Sequence, residues 1–134
     1  LTGALQTPKS MRVVSVDVER RVMVFEFTVD EDITNRGGNL YGGAAASLTD
    51  GLSAIALAVF TKSMSVTTDL SISFFRPLPA GSAVRAVATV TSAGKRVESA
   101  TIDFYAKETN KLAASGRHTK LVTIHQGWMI KSKL

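Results

Sequence analysis

The feature that most constrains this chain is a long apolar segment near its middle. Between Arg36 and Lys62 the only charged residue is Asp50, and residues 42–60 are rich in Ala and Leu and contain no Pro. Such a composition favours a helix, and a helix that is apolar nearly all round is expected to be buried. The segment therefore predicts one long helix at the centre of the fold.

Segments with strand patterns flank this helix on both sides. Val14, Val16 and Val18 alternate with polar residues, and a β-rich run resumes after the polar pair Arg20-Arg21. Two strands are predicted within residues 11–29 and four more over residues 66–75, 84–90, 97–106 and 112–124. The order β-β-α-β-β-β-β predicts a single α+β domain over residues 1–134. We expect an antiparallel sheet, joined by hairpins, that wraps around the helix.

Composition excludes several classes of site. The 134 residues suit one domain, and the absence of Cys excludes disulfides, a thiol nucleophile and cysteine-ligated metals. His118 and His125 are the only histidines, so no metal site is predicted. Residues 1–106 are electrically neutral, and the remaining residues carry the whole net charge of +5. This basic end is either a solubilising surface or a site for an anionic ligand, and the neutral body argues against nucleic-acid binding.

The apolar segment is not predicted to span a membrane, because Asp50 lies at its middle. A carboxylate at the bilayer centre costs about 2.5–3.5 kcal/mol on insertion scales. In a buried helix the same carboxylate requires a partner or a cleft. Asp50 is therefore a candidate general base or nucleophile, and the alternative is a structural residue that caps a neighbouring backbone.

A glycine-rich loop, residues 35–43, runs into the start of the helix. Glycines there leave backbone N–H groups bare at the positive end of the helix dipole, where they bind a phosphate or polarise a carbonyl. Gly43 and Asp50 are separated by about 10 Å along the helix axis. If the two cooperate, we expect Asp50 to meet the loop of a second chain.

These residues resemble a known family. Asn35, the triplet Tyr41-Gly42-Gly43 and Asp50 are similar to the Asn…His-Gly-Gly…Asp signature of hotdog-fold acyl-CoA thioesterases of the 4-hydroxybenzoyl and phenylacetate type. The resemblance implies an antiparallel sheet wrapped around one long central helix, the hydrolysis of acyl-CoA thioesters, and a homodimer or homotetramer. It covers residues 30–122 and continues through residues 65–70, the turn at 77–81, Gly94-Lys95 and residues 116–120.

The resemblance also implies roles for individual residues. Asp50 would activate water or attack the thioester carbon directly, and Thr67 would orient the water. Asn35 and the Gly42 N–H would polarise the thioester carbonyl, with Gly43 beside them in the substrate site. No cofactor is implied, because coenzyme A is part of the substrate.

Tyr41 departs from the family pattern, which has His at this position. A tyrosine hydroxyl still donates a hydrogen bond toward the thioester, but it does not become a cation near neutral pH. We expect this difference to affect rate and substrate preference. The alternative is that Tyr41 only packs.

Five basic residues of the later strands and turns are predicted to neutralise the phosphates of coenzyme A. For His118 the alternative is a strand-surface residue, and for the two residues of the turn it is simple solvation. These five substrate-binding candidates are Lys95, Arg96, Arg117, His118 and Lys120.

Two other functions remain as alternatives. A non-catalytic acyl-CoA binding domain would need no buried carboxylate, so Asp50 favours the enzyme. A hotdog dehydratase is disfavoured because no His occurs in the helix or the loop before it to serve as a base.

The last residues predict a cellular address. Residues 125–134 are expected to form a C-terminal tail that ends in Ser132-Lys133-Leu134. A terminal Ser-Lys-Leu is the import signal that a soluble peroxisomal receptor reads. We therefore expect a peroxisomal protein, and otherwise a cytoplasmic one.

Overall fold

A central helix and one antiparallel sheet make up the fold. The computed structural model describes residues 7–124, in which helix α1 spans Gly42–Thr61 and a short 3-10 helix spans Glu31–Ile33. The observed order of strands and helix confirms the prediction and the hotdog arrangement. The strands are β1 (Arg12–Asp17), β2 (Val22–Thr28), β3 (Met64–Phe74), β4 (Ala83–Ala93), β5 (Val97–Ala106) and β6 (Lys111–Ile124).

The six strands form one sheet in the order β1-β2-β4-β5-β6-β3. Hairpins join β1 to β2, β4 to β5 and β5 to β6, as expected. Strand β3 pairs with β6 rather than with its chain neighbour β4, and β2 pairs with β4. Consequently β3 is one edge of the sheet and β1 is the other.

The core lies between α1 and the concave face of the sheet. Alternate residues of β2, β4 and β5 point inward, as the period of a strand requires. Alanines on both α1 and β4 allow the helix to approach the sheet closely. The buried side chains here include Phe25, Phe27, Ala44, Leu48, Leu52, Ala56, Val84, Ala86, Ala88, Ile102 and Phe104.

The helix is buried on one side only, which corrects the expectation of burial all round. Ile55 and Val59 are 45% and 43% exposed. The side chain of Asp50 is 48% exposed, so the carboxylate lies on the open side of the helix rather than inside the core. The reason is that a single curved sheet covers only part of the helix circumference. By length and composition α1 is a candidate to cross a membrane, and it is the core helix of this sheet.

Strand β3 presents an apolar edge. Val66, Leu70 and Phe74 are all exposed, and so is Phe75 just beyond the strand. On one side β3 pairs with β6, and within residues 7–124 no strand pairs with its other side. An apolar edge strand of this kind is a surface suited to pairing with another chain.

Candidate active site

A buried histidine lies at the centre of the candidate site. His118, on β6, is completely buried between α1 and β3. Its Nδ1 is 2.7 Å from Ser53 Oγ on the helix, and its Nε2 is 2.7 Å from Thr67 Oγ1 on β3. The Ser53 hydroxyl donates to the carbonyl of Thr49, so it accepts from Nδ1–H of the imidazole. Nε2 is then an acceptor, and the Thr67 hydroxyl donates to it.

Asp50 lies beside the hydrogen bond between His118 and Thr67. One of its carboxylate oxygens is 3.6 Å from His118 Nε2, the same ring atom that contacts Thr67. Burial is the largest influence on the pKa of His118 and lowers it. The negative charges of Asp50 and Glu98 raise this pKa and the positive charge of Lys120 lowers it, and the net direction is downward. The imidazole is therefore neutral at neutral pH, and Asp50 is not its ion-pair partner there.

Gly116 explains how His118 reaches the helix. A Cβ at Gly116 would lie 2.5 Å from Thr49 Cγ2 and 3.2 Å from Ile102 Cγ2. Only glycine therefore allows β6 to approach α1 this closely. His118 is two residues further on the same face of the strand, where it meets Ser53.

The start of the helix is a second group of candidate residues. Tyr41 is the N-cap of α1 and makes no side-chain capping bond, and both Gly42 and Gly43 are exposed. The N–H groups of a first helical turn have no partner within the helix, so they are available to an acceptor outside it. A Cβ at Gly43 would lie 2.8 Å from Tyr41 Cε2, so glycine is required for the Tyr41 ring to lie against the helix.

Asn35 is oriented by the loop that precedes the helix. Its side-chain oxygen accepts from the Asn39 N–H at 3.1 Å, and its own N–H donates to the Asn39 carbonyl at 2.8 Å. Because the side-chain oxygen is used, the amide NH₂ is the group left to donate outward. Asn35 lines a cavity of about 370 Å³ together with Leu40, Phe74 and Phe75.

The structure therefore divides the candidate catalytic residues into two groups. Asp50 and Thr67 lie together at His118, while Asn35, Tyr41 and Gly42 lie at the helix start. Gly42 and Asp50 are eight positions apart, which corresponds to about 12 Å along a helix axis. The two groups therefore lie about two helical turns apart on α1.

The five phosphate-binding candidates lie in different environments. Lys95 and Arg96 are exposed at the turn between β4 and β5, and Lys120 is half-buried. Arg117 is exposed, and since successive residues of a strand face opposite ways, it points away from the face that carries His118. The prediction for His118 is corrected, because a completely buried imidazole held by Ser53 and Thr67 does not reach a phosphate in solvent.

Two members of the site were not singled out in the sequence. Nothing near Ser53 in the sequence marks it as a site residue. Its role depends on contact with His118, which lies 65 residues further along the chain. Glu98 could have been found from the sequence, because it falls on the face of β5 that Ala100, Ile102 and Phe104 make apolar. A charged residue on an apolar strand face indicates a special role. Among residues 7–124 no three acidic or histidine side chains are grouped so as to hold a metal ion.

Comparison with known proteins identifies the family. A family model described as the thioesterase superfamily matches residues 37–113, more than half of the chain. The chain belongs to the thioesterase superfamily. The matched segment of this thioesterase includes the helix start, Asp50 and Thr67 but not Asn35 or His118.

Individual relatives agree with this assignment. The thioesterase is 34% identical over 110 residues to mouse acyl-coenzyme A thioesterase 13, covering 81% of this chain and 79% of that protein. It superimposes on zebrafish thioesterase superfamily member 2 with a TM-score of 0.79 and 33% identity, covering 84% and 81% of the two chains. A hypothetical thioesterase of Streptococcus pneumoniae, solved with coenzyme A, shares the fold at a TM-score of 0.81 and 17% identity, covering 91% and 92%.

The lowered pKa of His118 predicts a pH-dependent stability. In the unfolded chain His118 takes up a proton near its ordinary pKa of 6.5, whereas the folded protein resists protonation until lower pH. The free energy of unfolding should therefore fall as the pH drops below about 6.5, by at most about 1.4 kcal/mol per pH unit from this group. Urea unfolding of the wild type and of His118→Gln between pH 7.5 and 5 measures this. The wild type should lose its advantage in unfolding free energy over His118→Gln as the pH falls. If the two unfolding free energies differ by the same amount at every pH, His118 contributes nothing to the pH dependence.

Proposed function

We propose that this thioesterase hydrolyses acyl-CoA thioesters to the free acid and coenzyme A. The observation that carries the proposal is the half-exposed Asp50 carboxylate beside the Thr67–His118 hydrogen bond. A carboxylate open to a ligand and held near an oriented hydroxyl suits a general base or a nucleophile. The similarity to mouse acyl-coenzyme A thioesterase 13 supports coenzyme A as the leaving group.

Asp50 serves the reaction in one of two ways. As a base, it removes a proton from water while the water oxygen bonds to the thioester carbon. As a nucleophile, its carboxylate oxygen bonds to that carbon, and water later cleaves the resulting anhydride. In both routes the C–S bond breaks, and the sulfur of coenzyme A leaves with the bonding electrons and takes up a proton.

Thr67 orients the water in this scheme. Its hydroxyl proton is directed to Nε2 of His118, and Ser53 holds the imidazole from the other side. The remaining lone pairs of the Thr67 oxygen then accept a hydrogen bond from water close to Asp50. Neutral His118 therefore fixes the direction of the threonine hydroxyl without itself exchanging protons with the substrate.

The helix start stabilises the oxyanion. The N–H of Gly42 and the outward amide NH₂ of Asn35 donate to the thioester oxygen as negative charge develops on it. The positive end of the helix dipole adds to this stabilisation. Gly43 allows the Tyr41 ring to lie beside the same N–H groups, where its hydroxyl replaces the histidine of the family pattern as a neutral donor.

A complete site requires two protomers. The edge strand β3 carries one residue near each of the two groups. Thr67 lies near Asp50, and the Phe74 ring lies 3.7 Å from a Cβ built at Gly42. Two copies of β3 that pair antiparallel about their middle, near Leu70, place Thr67 of one copy opposite Phe74 of the other. Asp50 of one protomer then meets the helix start of its partner. We infer a homodimer at least, with a homotetramer as the larger assembly.

The phosphates of coenzyme A have a candidate site at the same end of the sheet as Asp50. The Arg96 carbonyl accepts from the Val122 N–H at 2.7 Å, which ties the turn that carries Lys95 to the end of β6. Lys120 is nearby on β6, opposite Thr67 on β3. Lys95, Arg96 and Lys120 are therefore the preferred phosphate ligands, and Arg117 on the other face is the least suited.

The proposed address is the peroxisome. It rests on Ser132-Lys133-Leu134, which lies outside the described residues, and on the fit between such an import signal and acyl-CoA chemistry. A fluorescent protein fused to the N-terminus should give puncta in a eukaryotic cell, and deletion of Leu134 should disperse them. Diffuse fluorescence from the intact chain would contradict the proposal.

A turnover assay tests the proposed function directly. The protein is incubated with aliphatic and aromatic acyl-CoA esters of different length, and the released thiol is measured continuously. Multiple turnovers of at least one ester are expected. Tight binding of acyl-CoA with no thiol release would instead support the alternative of a non-catalytic binding domain.

A further inference from the structure

A second carboxylate is buried behind the candidate site. Glu98 on β5 is 1% exposed, and the next inward positions of its strand hold Ala100, Ile102 and Phe104. One Glu98 oxygen accepts from Ser65 Oγ at 2.6 Å, and the other has no hydrogen-bond partner among residues 7–124. An incompletely paired buried carboxylate costs stability, so its presence at an otherwise apolar position requires a reason.

The partner of Glu98 is not on the neighbouring strand. Ser65 is on β3 and Glu98 is on β5, and β6 lies between these two strands. In register, both Thr67 of β3 and Glu98 of β5 lie opposite Lys120 of β6. The Ser65–Glu98 hydrogen bond therefore crosses over β6 and fastens the edge strand to the interior of the sheet.

The fastened segment is the one that carries Thr67. The register of β3 against β6 shifts between Met64 and Ser65 and again between Thr67 and Asp69. Residues 65–67 thus lie between two irregularities of the hydrogen-bond ladder, at the start of the edge strand β3. A backbone ladder interrupted at both ends defines the position of a short segment weakly. Two side-chain bonds supplement it, Ser65 to Glu98 and Thr67 to His118.

We propose that Glu98 is a positioning residue of the hydrolytic site, holding residues 65–67 through Ser65 so that the Thr67 hydroxyl stays on His118. The proposal rests on the proposed thioester hydrolysis, in which Thr67 orients water. Glu98 does not touch the substrate in this account. Its effect reaches the reaction through Ser65 and then Thr67.

Glu98 also acts on His118 through its charge. The charged groups that face His118 are Asp50 from the helix, Lys120 from its own strand and Glu98 from β5. The negative charge of Glu98 raises the pKa of His118 and opposes the effect of burial. Neutralising Glu98 should therefore lower the pKa of His118 further.

The test uses variants that separate position from stability. Ser65→Ala leaves the Glu98 carboxylate without its donor and is expected to destabilise the fold. The double variant Ser65→Ala with Glu98→Leu removes both polar partners, a change that is often nearly neutral for stability. Ser15→Ala is the matched control, an exposed serine on β1 at the opposite edge of the sheet. Glu98→Gln keeps an acceptor for Ser65 while removing the charge.

The expected result is a loss of kcat without a loss of binding. The double variant should retain the urea midpoint of the wild type but show about 10-fold lower kcat, with KM changed less than twofold, because a displaced water-orienting group slows the chemical step. Glu98→Gln should retain most of the rate, and NMR titration should show a lower His118 pKa in it. A folded double variant with wild-type kcat would overturn the proposal.

A second readout keeps this proposal separate from the proposed function. The ¹⁵N shifts of the His118 ring report whether Nε2 still accepts from Thr67, and they need no turnover. If the wild type hydrolyses no acyl-CoA, the proposed function fails while this measurement still decides the positioning role. Nε2 shifts in the double variant that differ from those in Glu98→Gln, which lacks the same charge but keeps the acceptor for Ser65, support it. Shifts identical to those in Glu98→Gln overturn it.

Discussion

Asp50→Asn is expected to lower kcat by about 10²–10⁴-fold, the usual cost of removing a positioned base. Asparagine keeps the size of the side chain and can hydrogen-bond, but it neither takes a proton from water nor forms an anhydride. Since Asp50 is about half exposed and does not form an ion pair with neutral His118, its replacement should leave the fold intact. Acyl-CoA binding should be retained.

Steady-state kinetics with the best ester from the panel, together with calorimetric binding, measure this effect. Asp17→Asn is the matched control, because it makes the same chemical change on β1 at the opposite edge of the sheet. It should retain wild-type kcat. An Asp50→Asn protein that hydrolyses the ester at the wild-type rate would remove Asp50 from the mechanism.

Gly42→Pro is expected to lower kcat by about 10²–10³-fold, the cost of losing one oxyanion donor. Proline removes the Gly42 N–H and nothing else that the helix needs, because the first helical position tolerates proline well. Tyr41 precedes it with φ −84° and ψ 155°, the extended conformation that a residue before proline prefers.

Gly42→Ala is the control for this change. It keeps the N–H and adds a Cβ whose nearest neighbour, the Phe74 ring, is at an ordinary contact distance of 3.7 Å. Circular dichroism should show the same helix content in both variants. The alanine variant should stay within a few-fold of the wild-type kcat. Equal activity of the proline and alanine variants would mean that the Gly42 N–H does not contact the oxyanion.

Much of the fold is predictable from local patterns. The apolar segment without Pro gives a helix over residues 42–61, and period-two alternation gives the strands. The pairing of β3 with β6 is not predictable in this way, because the two strands are far apart in the sequence. Local alternation shows that a segment is a strand but not which other strand it pairs with. The exposure of Ile55 and Asp50 likewise depends on how far one curved sheet extends around the helix.

The candidate site shows the same division. Asp50 is conspicuous as a single charge in an apolar segment, and the glycines are conspicuous at the helix start. His118 looks like a surface residue in sequence, because its neighbours Arg117 and Lys120 are basic. Its burial follows from the close approach that Gly116 allows, which only the assembled strand and helix reveal.

Mixed oligomers show whether the thioesterase site is shared between two protomers. Asp50→Asn and Gly42→Pro chains carrying different affinity tags are co-expressed, and oligomers that contain both are purified by successive use of the tags. A dimer with one chain of each kind has one site with both intact groups, so it should regain up to about half of the wild-type activity although each parent is nearly inactive. Mixed oligomers that remain as inactive as their parents would contradict the shared site.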